Sequence, residues 1–174
     1  VLAGHSEGAV VVSVLARDGA ETDGVVLLAG PAVGILSVMR EQVPAMRPLE
    51  DRDSITADLD RVIAAIMSGA PIPDELKQRE GIGGLAMMPP EGLRYMRESE
   101  ATDPAATIAD YDGPVLIVHG TNDTNLGVHH AERLRDVRGA RPTELRILDG
   151  LSHMFKRLPE GLSPQDVFGF PGPT

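Results

Sequence analysis

Three short segments carry side chains that together could activate a hydroxyl toward a carbonyl carbon. They are Gly4-His5-Ser6-Glu7-Gly8, His119-Gly120-Thr121-Asn122-Asp123 and Gly150-Leu151-Ser152-His153. A serine hydroxyl is a poor nucleophile at neutral pH. It needs a base within hydrogen-bond reach, an acid to orient that base, and N–H donors for the oxyanion that forms. Small residues around Ser6 permit a sharp strand-to-helix turn that lifts its side chain above a sheet. The same turn sets the Glu7 N–H at a helix N-terminus, where the dipole favours a developing negative charge. His153 is then the candidate base and Asp123 the candidate acid, in the chain order Ser6, Asp123, His153.

Each residue has a plainer reading. Ser6 could cap a helix, although a cap needs no flanking glycines. Asp123 could close the Thr121–Asn125 turn, the ordinary use of Asp in such a segment. Asp110, Asp112 and Asp149 are rival acids. Asp112 precedes a strand and so belongs to the opposite rim of a sheet, while Asp149 is too near His153 in sequence to be preferred. His5 is expected to point away from the nucleophile, His119 to be structural, and His129 and His130 to lie solvated on a helix. The chain has no cysteine, which removes disulfides, thiolate metal sites and a cysteine nucleophile. No His/Asp/Glu cluster has metal-ligand spacing, so neither metal nor cofactor is inferred.

The elements that must position these segments are legible from patterning. Val1-Leu2-Ala3 reads as the end of a buried strand, and Val25 to Ala29 and Val115 to Val118 as two more. Glu144 to Leu148 reads as the last. Helical patterns run from about Glu7 to Ala16 and from Val128 to Val137. Apolar strands alternating with helices predict a parallel sheet of about four strands, covered on both faces. Ligands bind beyond the carboxyl ends of such strands, which puts all three segments on one rim. Residues 31–104 read differently, as helices rich in Pro and Met expected to form a cap over the site, inserted into a core formed by 1–30 and 105–174. Within the insertion Ile55, Leu59, Val62, Ile63, Ile66 and Met67 keep helical spacing, with Ser54 as N-cap candidate and Gly69 as terminator. Its methionines, Met39, Met46, Met67, Met87, Met88 and Met96, either line an adaptable acyl pocket or fill the insertion's own core.

Bulk properties exclude several classes of partner. A formal net charge of -10 disfavours nucleic acid and anionic surfaces. Aromatic content of 3% leaves no stacking platform for bases or sugars. No apolar run approaches the ~20 residues of a transmembrane span. The cellular compartment is left open.

Several runs resemble the α/β-hydrolase superfamily, and the resemblance covers nearly the whole chain. They are Ala3-Gly4-His5-Ser6-Glu7-Gly8, Val26-Leu27-Leu28-Ala29-Gly30-Pro31, Leu93-Arg94-Tyr95-Met96 before Asp103-Pro104, Gly113-Pro114-Val115-Leu116, His119 to Asp123, and Leu148 to Phe155. They are most similar to bacterial carboxylesterases related to serine aminopeptidases and prolyl-oligopeptidase-like hydrolases. The resemblance implies Ser6 as nucleophile, Asp123 as acid, His153 as base, the Glu7 N–H as half of an oxyanion hole, and a small-molecule ester as substrate. Two other functions stay open: a peptidase or acylaminoacyl hydrolase of the same fold, and a non-catalytic module that binds a partner. Ala9 stands where many members have glycine. In the family several strands precede the elbow, and a loop among them supplies the second oxyanion N–H. The chain therefore matches the C-terminal half of the fold, is expected to be truncated at its N-terminus, and leaves the strand ending at Ala3 as an edge. A closing helix is expected to start near 163–168.

Losing one oxyanion donor costs about 10²–10³ in rate, and an exposed apolar edge strand invites pairing with another chain. The 174 residues alone are thus expected to be weakly active and to self-associate; full activity from a monodisperse monomer in sedimentation and turnover assays would contradict this.

Overall fold

The computed structural model describes residues 1–157, so the helix expected near 163–168 and the tail at 169–174 lie outside the described residues. In chain order the elements are β1 (Leu2–His5), α1 (Glu7–Arg17), β2 (Val25–Leu28), α2 (Ile35–Ala45), a 3-10 turn (Leu49–Asp51) and α3 (Arg52–Ser68). They continue with α4 (Asp74–Lys77), α5 (Gly83–Ala86), α6 (Pro90–Ala101), α7 (Pro104–Ala109), β3 (Val115–Gly120), α8 (Val128–Asp136) and β4 (Thr143–Leu148). The chain divides into two compact units, one of residues Val1–Ala32 with the chain from Asp103 onward, the other Val33–Thr102.

The first unit is a four-stranded parallel sheet in the order β1-β2-β3-β4. The register pairs Gly4 with Leu27, Leu27 with Ile117, and Ile117 with Leu145. Val25, Leu27, Val115 and Ile117 pack with Ala9, Val12 and Ala16 of α1, Ala105 and Ile108 of α7, and Ala131 and Leu134 of α8. The valine run of α1 would suit a strand, yet the buried residues Ala9, Val12, Ser13 and Ala16 recur at helical spacing while Val11 stays exposed. Packing of that stripe overrides the β propensity of the individual residues.

Coverage of both sheet faces, expected from the sequence, is not what the fold has among its described residues. α1, α7 and α8 share one cluster on one face, and the alternate residues Val26, Leu28, Leu116 and Val118 are only half-buried. The reason is topological. The strand order never reverses, and right-handed crossovers that all step the same way put every connecting helix on the same side.

The second unit is helical. α3 buries Ile55, Leu59, Val62, Ala65 and Ile66, and ends at Gly69, whose φ of 73° is the left-handed conformation glycine adopts without strain. Ser54 is not its cap. The 3-10 turn runs straight into the helix, Asp51 occupies the cap position, and Ser54 instead accepts a hydrogen bond from Arg79 Nη2 at 2.8 Å. α2 starts after Gly34, which has no capping side chain. Glu100 fills that role: its Oε2 accepts from the N–H groups of Leu36 (2.7 Å) and Ser37 (3.1 Å). Of the methionines, Met96 is buried in this unit's core and Met39 and Met88 pack against it, whereas Met46, Met67 and Met87 are exposed. Among the described residues no helix is long and apolar enough to cross a membrane.

One buried cation ties the amino-terminal ends of the strands. The Arg138 side chain, fully buried, donates from Nε to Thr143 Oγ1 (2.7 Å), from Nη1 to the carbonyls of Ile108 (2.7 Å) and Tyr111 (2.8 Å), and from Nη2 to those of Gly113 (2.7 Å) and Pro142 (3.4 Å). These bonds use the full donor set of a guanidinium, and they hold the α7–β3 connection against the start of β4. Arg138→Leu leaves those acceptors in a dry site, at about 1–3 kcal/mol for each carbonyl that finds no water. Urea unfolding should show a loss of about 3 kcal/mol or more; a loss under about 1 kcal/mol would mean the carbonyls are satisfied some other way.

Candidate active site

β1 ends at His5 and the chain reverses at Ser6, with φ 54° and ψ -123°, directly into α1. A non-glycine residue at positive φ costs energy and persists only where its surroundings fix it. Here the Ser6 N–H donates to the Leu28 carbonyl at 2.8 Å and the Ser6 carbonyl accepts from Ala9 N–H at 3.0 Å. Gly4 is needed because a Cβ there would run into the Gly8 carbonyl oxygen, whereas a Cβ on Gly8 would meet open space. Ala9 keeps its methyl because Gly30 faces it; a Cβ on Gly30 would come within 2.7 Å of Ala9 Cβ. Glu7 is the first residue of α1, so its N–H lies at the positive end of the helix dipole.

Asp123 follows β3 in a loop laced to the next strand: Thr121 N–H donates to the Leu148 carbonyl and Asn122 N–H to that of Leu151, both at 3.0 Å. Its carboxylate is fully buried and its two oxygens do different work. Oδ1 accepts from the N–H groups of Asn125 (2.8 Å) and Leu126 (2.9 Å), closing the turn. Oδ2 accepts from His153 Nδ1 at 2.8 Å. Since an ionised carboxylate only accepts, the proton sits on His153 Nδ1, and the Nε2 lone pair is left to act as a base. Burial by itself would raise the Asp123 pKa. The hydrogen bond from His153, the Leu126 N–H, the charge on His153 and the Asn125 N–H outweigh it and hold the carboxyl below its ordinary value.

His153, itself nearly buried, lies in a tight loop after β4. Ser152 N–H donates to the Lys156 carbonyl (3.0 Å) and Phe155 N–H to that of Ser152 (2.8 Å), with Phe155 at φ 54°. Gly120 lets this loop approach β3, since a Cβ there would strike the Leu151 carbonyl.

The structure thus joins Asp123 to His153 directly, and brings His153 beside the strand end that carries Ser6. Among the described residues the Ser6 hydroxyl makes no hydrogen bond, to His153 or to any other group; such contacts are often long in unliganded sites. The rival acids are elsewhere: Asp112 pairs with Arg141 at 2.8 Å, Asp149 accepts from Thr121 Oγ1 at 3.2 Å, and Asp110 is exposed.

Three histidines take places that the sequence did not assign to them in full. His5 donates from Nε2 to the His153 carbonyl at 2.8 Å, a contact across 148 residues that no local pattern announces. His119, fully buried, donates from Nε2 to the Leu126 carbonyl at 2.8 Å and lies 3.4 Å from Asp123 Oδ2, so it braces the Asp123 turn. His130 is buried rather than solvated, because it falls on the inner face of α8, and its Nδ1 accepts from Ala32 N–H at 3.1 Å.

No protein-family model matches the sequence, and no curated protein matches it. Solved structures do match. An esterase domain from Rhodothermus marinus superposes with a TM-score of 0.50 at 19% identity, over 88% of this chain and 50% of that one. Est1E from Butyrivibrio proteoclasticus gives 0.52 at 20%, over 88% and 52%. A putative non-heme bromoperoxidase, BpoC, from Mycobacterium tuberculosis H37Rv gives 0.50 at 15%, over 88% and 59%. The chain therefore spans about half the length of the structures it matches.

The lowered pKa of Asp123 fixes a pH signature. A carboxyl whose folded pKa lies below its unfolded value stabilises the fold fully above the ordinary carboxylate range, about pH 4. That contribution is lost as pH falls through the folded value. Asp123→Asn cannot titrate, so the stability gap between wild type and variant, about 1–3 kcal/mol at pH 7, should narrow steadily below about pH 4. Urea unfolding of both proteins from pH 7 to pH 3 measures it, and a gap constant across that range would refute the assignment.

Proposed function

For a chain that has the α/β-hydrolase fold, we propose that its reaction is hydrolysis of a carboxylic ester through an acyl-enzyme formed on Ser6. The observation that carries the reading is the 2.8 Å hydrogen bond from His153 Nδ1 to Asp123, next to a strand-to-helix turn with Ser6 at φ 54°. Ser6 Oγ attacks the ester carbonyl carbon as His153 Nε2 takes its proton. Asp123 keeps the imidazole in the right tautomer and stabilises the imidazolium. The Glu7 N–H stabilises the oxyanion from the helix terminus. His153 then returns the proton to the leaving alcohol, and water releases the acid from the acyl-enzyme by the same route in reverse. An ester is favoured over other acyl substrates by the likeness to a protein named as an esterase domain.

Covalent labelling by a fluorophosphonate probe tests the nucleophile without knowledge of the substrate. Wild type should label and Ser6→Ala should not. Asp123→Asn should slow hydrolysis of a p-nitrophenyl ester by about 10³–10⁴, since the imidazole is then held in the wrong tautomer. Labelling that persists in Ser6→Ala would overturn the proposal.

A further inference from the structure

His5 lies at the end of β1 and is bonded in the chain to Ser6, yet its side chain is engaged with the opposite partner of the reaction. Its Nε2 is 2.8 Å from the backbone carbonyl of His153. Its ring centroid is 4.8 Å from that of His153, with the planes tilted by 50°, and 6.1 Å from that of Phe155, edge-on. A carbonyl oxygen only accepts, so Nε2 of His5 must carry the hydrogen. Neutral His5 can do this in one tautomer, with Nδ1 as its bare nitrogen.

Other bonds leave a gap that this contact fills. Asp123 restrains His153 through ring Nδ1 alone, and Asp123 belongs to the β3 loop. The turn that carries His153 is closed on itself, by Ser152 N–H to the Lys156 carbonyl and Phe155 N–H to that of Ser152. It is tied to β3 through the Leu151 carbonyl, which accepts from Asn122 N–H. None of these bonds reaches the strand that bears the nucleophile. None of them fixes the distance from the His153 turn to β1, and a displacement of about 1 Å between base and nucleophile costs on the order of 10² in rate.

We propose that His5 is a positioning residue: through its Nε2–H to the His153 carbonyl and its ring against the His153 ring, it fixes the base in register with the adjacent Ser6. His5 touches neither substrate nor the reacting atoms. The assignment rests on the proposed Ser6–His153–Asp123 reading for its kinetic consequence, but its structural content stands apart from that reading. Two substitutions separate the donor from the ring. His5→Gln puts a side-chain N–H near the place of Nε2 and removes the aromatic ring; His5→Phe keeps a ring of similar size and removes the donor.

The experiment has two arms on the same proteins. In the first, the rate of fluorophosphonate labelling is measured for wild type, His5→Gln and His5→Phe. His5→Phe should label on the order of tenfold more slowly, and His5→Gln should recover most of that loss. In the second, the downfield proton resonance of the His153 Nδ1–H bonded to Asp123 is followed by NMR. It should be sharp in wild type and His5→Gln and exchange-broadened in His5→Phe, because an imidazole free to swing exposes that proton to solvent. Wild-type labelling with equal rates in all three proteins would overturn the proposal, as would an unbroadened resonance in His5→Phe. Absence of labelling in wild type would overturn the esterase reading instead, and the resonance would then decide the positioning role by itself. If His5→Phe does not fold, His5→Ala takes its place: labelling slowed on the order of tenfold and a broadened resonance would support the proposal, and wild-type values for both would overturn it.

Discussion

A buried carboxylate has to be satisfied or it destabilises the fold, and the rim of this sheet is organised around one. Asp123 sits with no solvent contact, so its charge is tolerable only because donors converge on it: two backbone N–H groups on one oxygen and the imidazole of His153 on the other. Each donor fixes something else. The N–H groups of Asn125 and Leu126 set the course of the chain from β3 into α8. The imidazole bond decides which nitrogen of His153 carries a proton. His119, beneath them, ties the Leu126 carbonyl back to β3. Turn geometry and the tautomer of His153 are here set by one carboxylate.

That arrangement depends on the sheet staying in register, and the restraint on register is at the other end. Arg138 gathers carbonyls from the α7–β3 connection and the start of β4, so the two strands that bear Asp123 and His153 at their carboxyl ends are pinned at their amino ends. Because the strands are all parallel and their order never reverses, the loops that follow them share one rim. The buried cation lies at one end of the strands and the buried carboxylate at the other.

How much of this could be read from residues alone depended on the range of the interaction. The tight strand-to-helix turn at Ser6 is legible because steric need is local: Gly4 must be glycine to pass the Gly8 carbonyl. Gly8, an equal part of the same motif, answers to no such contact, and the motif gave no means of telling the two apart. Asp123 reads from sequence as a turn residue or as an acid; its Oδ1 closes the turn and its Oδ2 takes the His153 Nδ1–H, so one carboxylate leaves room for both. Ser54 was misplaced by one turn because the 3-10 segment before it extends the helix backward without a sequence signal. His130 was misjudged for want of α8's orientation, which only the packing of Ala131 and Leu134 reveals. For His5 the sequence offers only an expectation that it points away from Ser6, and no signal of the bond it makes. Its partner is a backbone carbonyl, which every residue possesses, at a separation that no periodicity spans.

The distribution of backbone strain makes the same division between the two ends of the sheet. Among the described residues, the non-glycine positions with positive φ are Ser6 (54°), Ala29 (45°) and Phe155 (54°), and all follow strands on the carboxyl rim. Turns at the opposite rim use Gly19 and Gly139 for such angles, where no side chain is strained. Each strained residue is held by its own N–H: Ser6 to the Leu28 carbonyl, Ala29 to that of Val118, Phe155 to that of Ser152. Two of those acceptors belong to the neighbouring strand, so the strain, of order 1–3 kcal/mol per residue, is borne by the sheet rather than by the loop. A Ser6 backbone fixed in this way has little freedom left to it, and a His153 held by both Asp123 and His5 has little more. Groups held in this way need not reorganise, and Ser6 and Ala29, each locked to an adjacent strand, meet that condition.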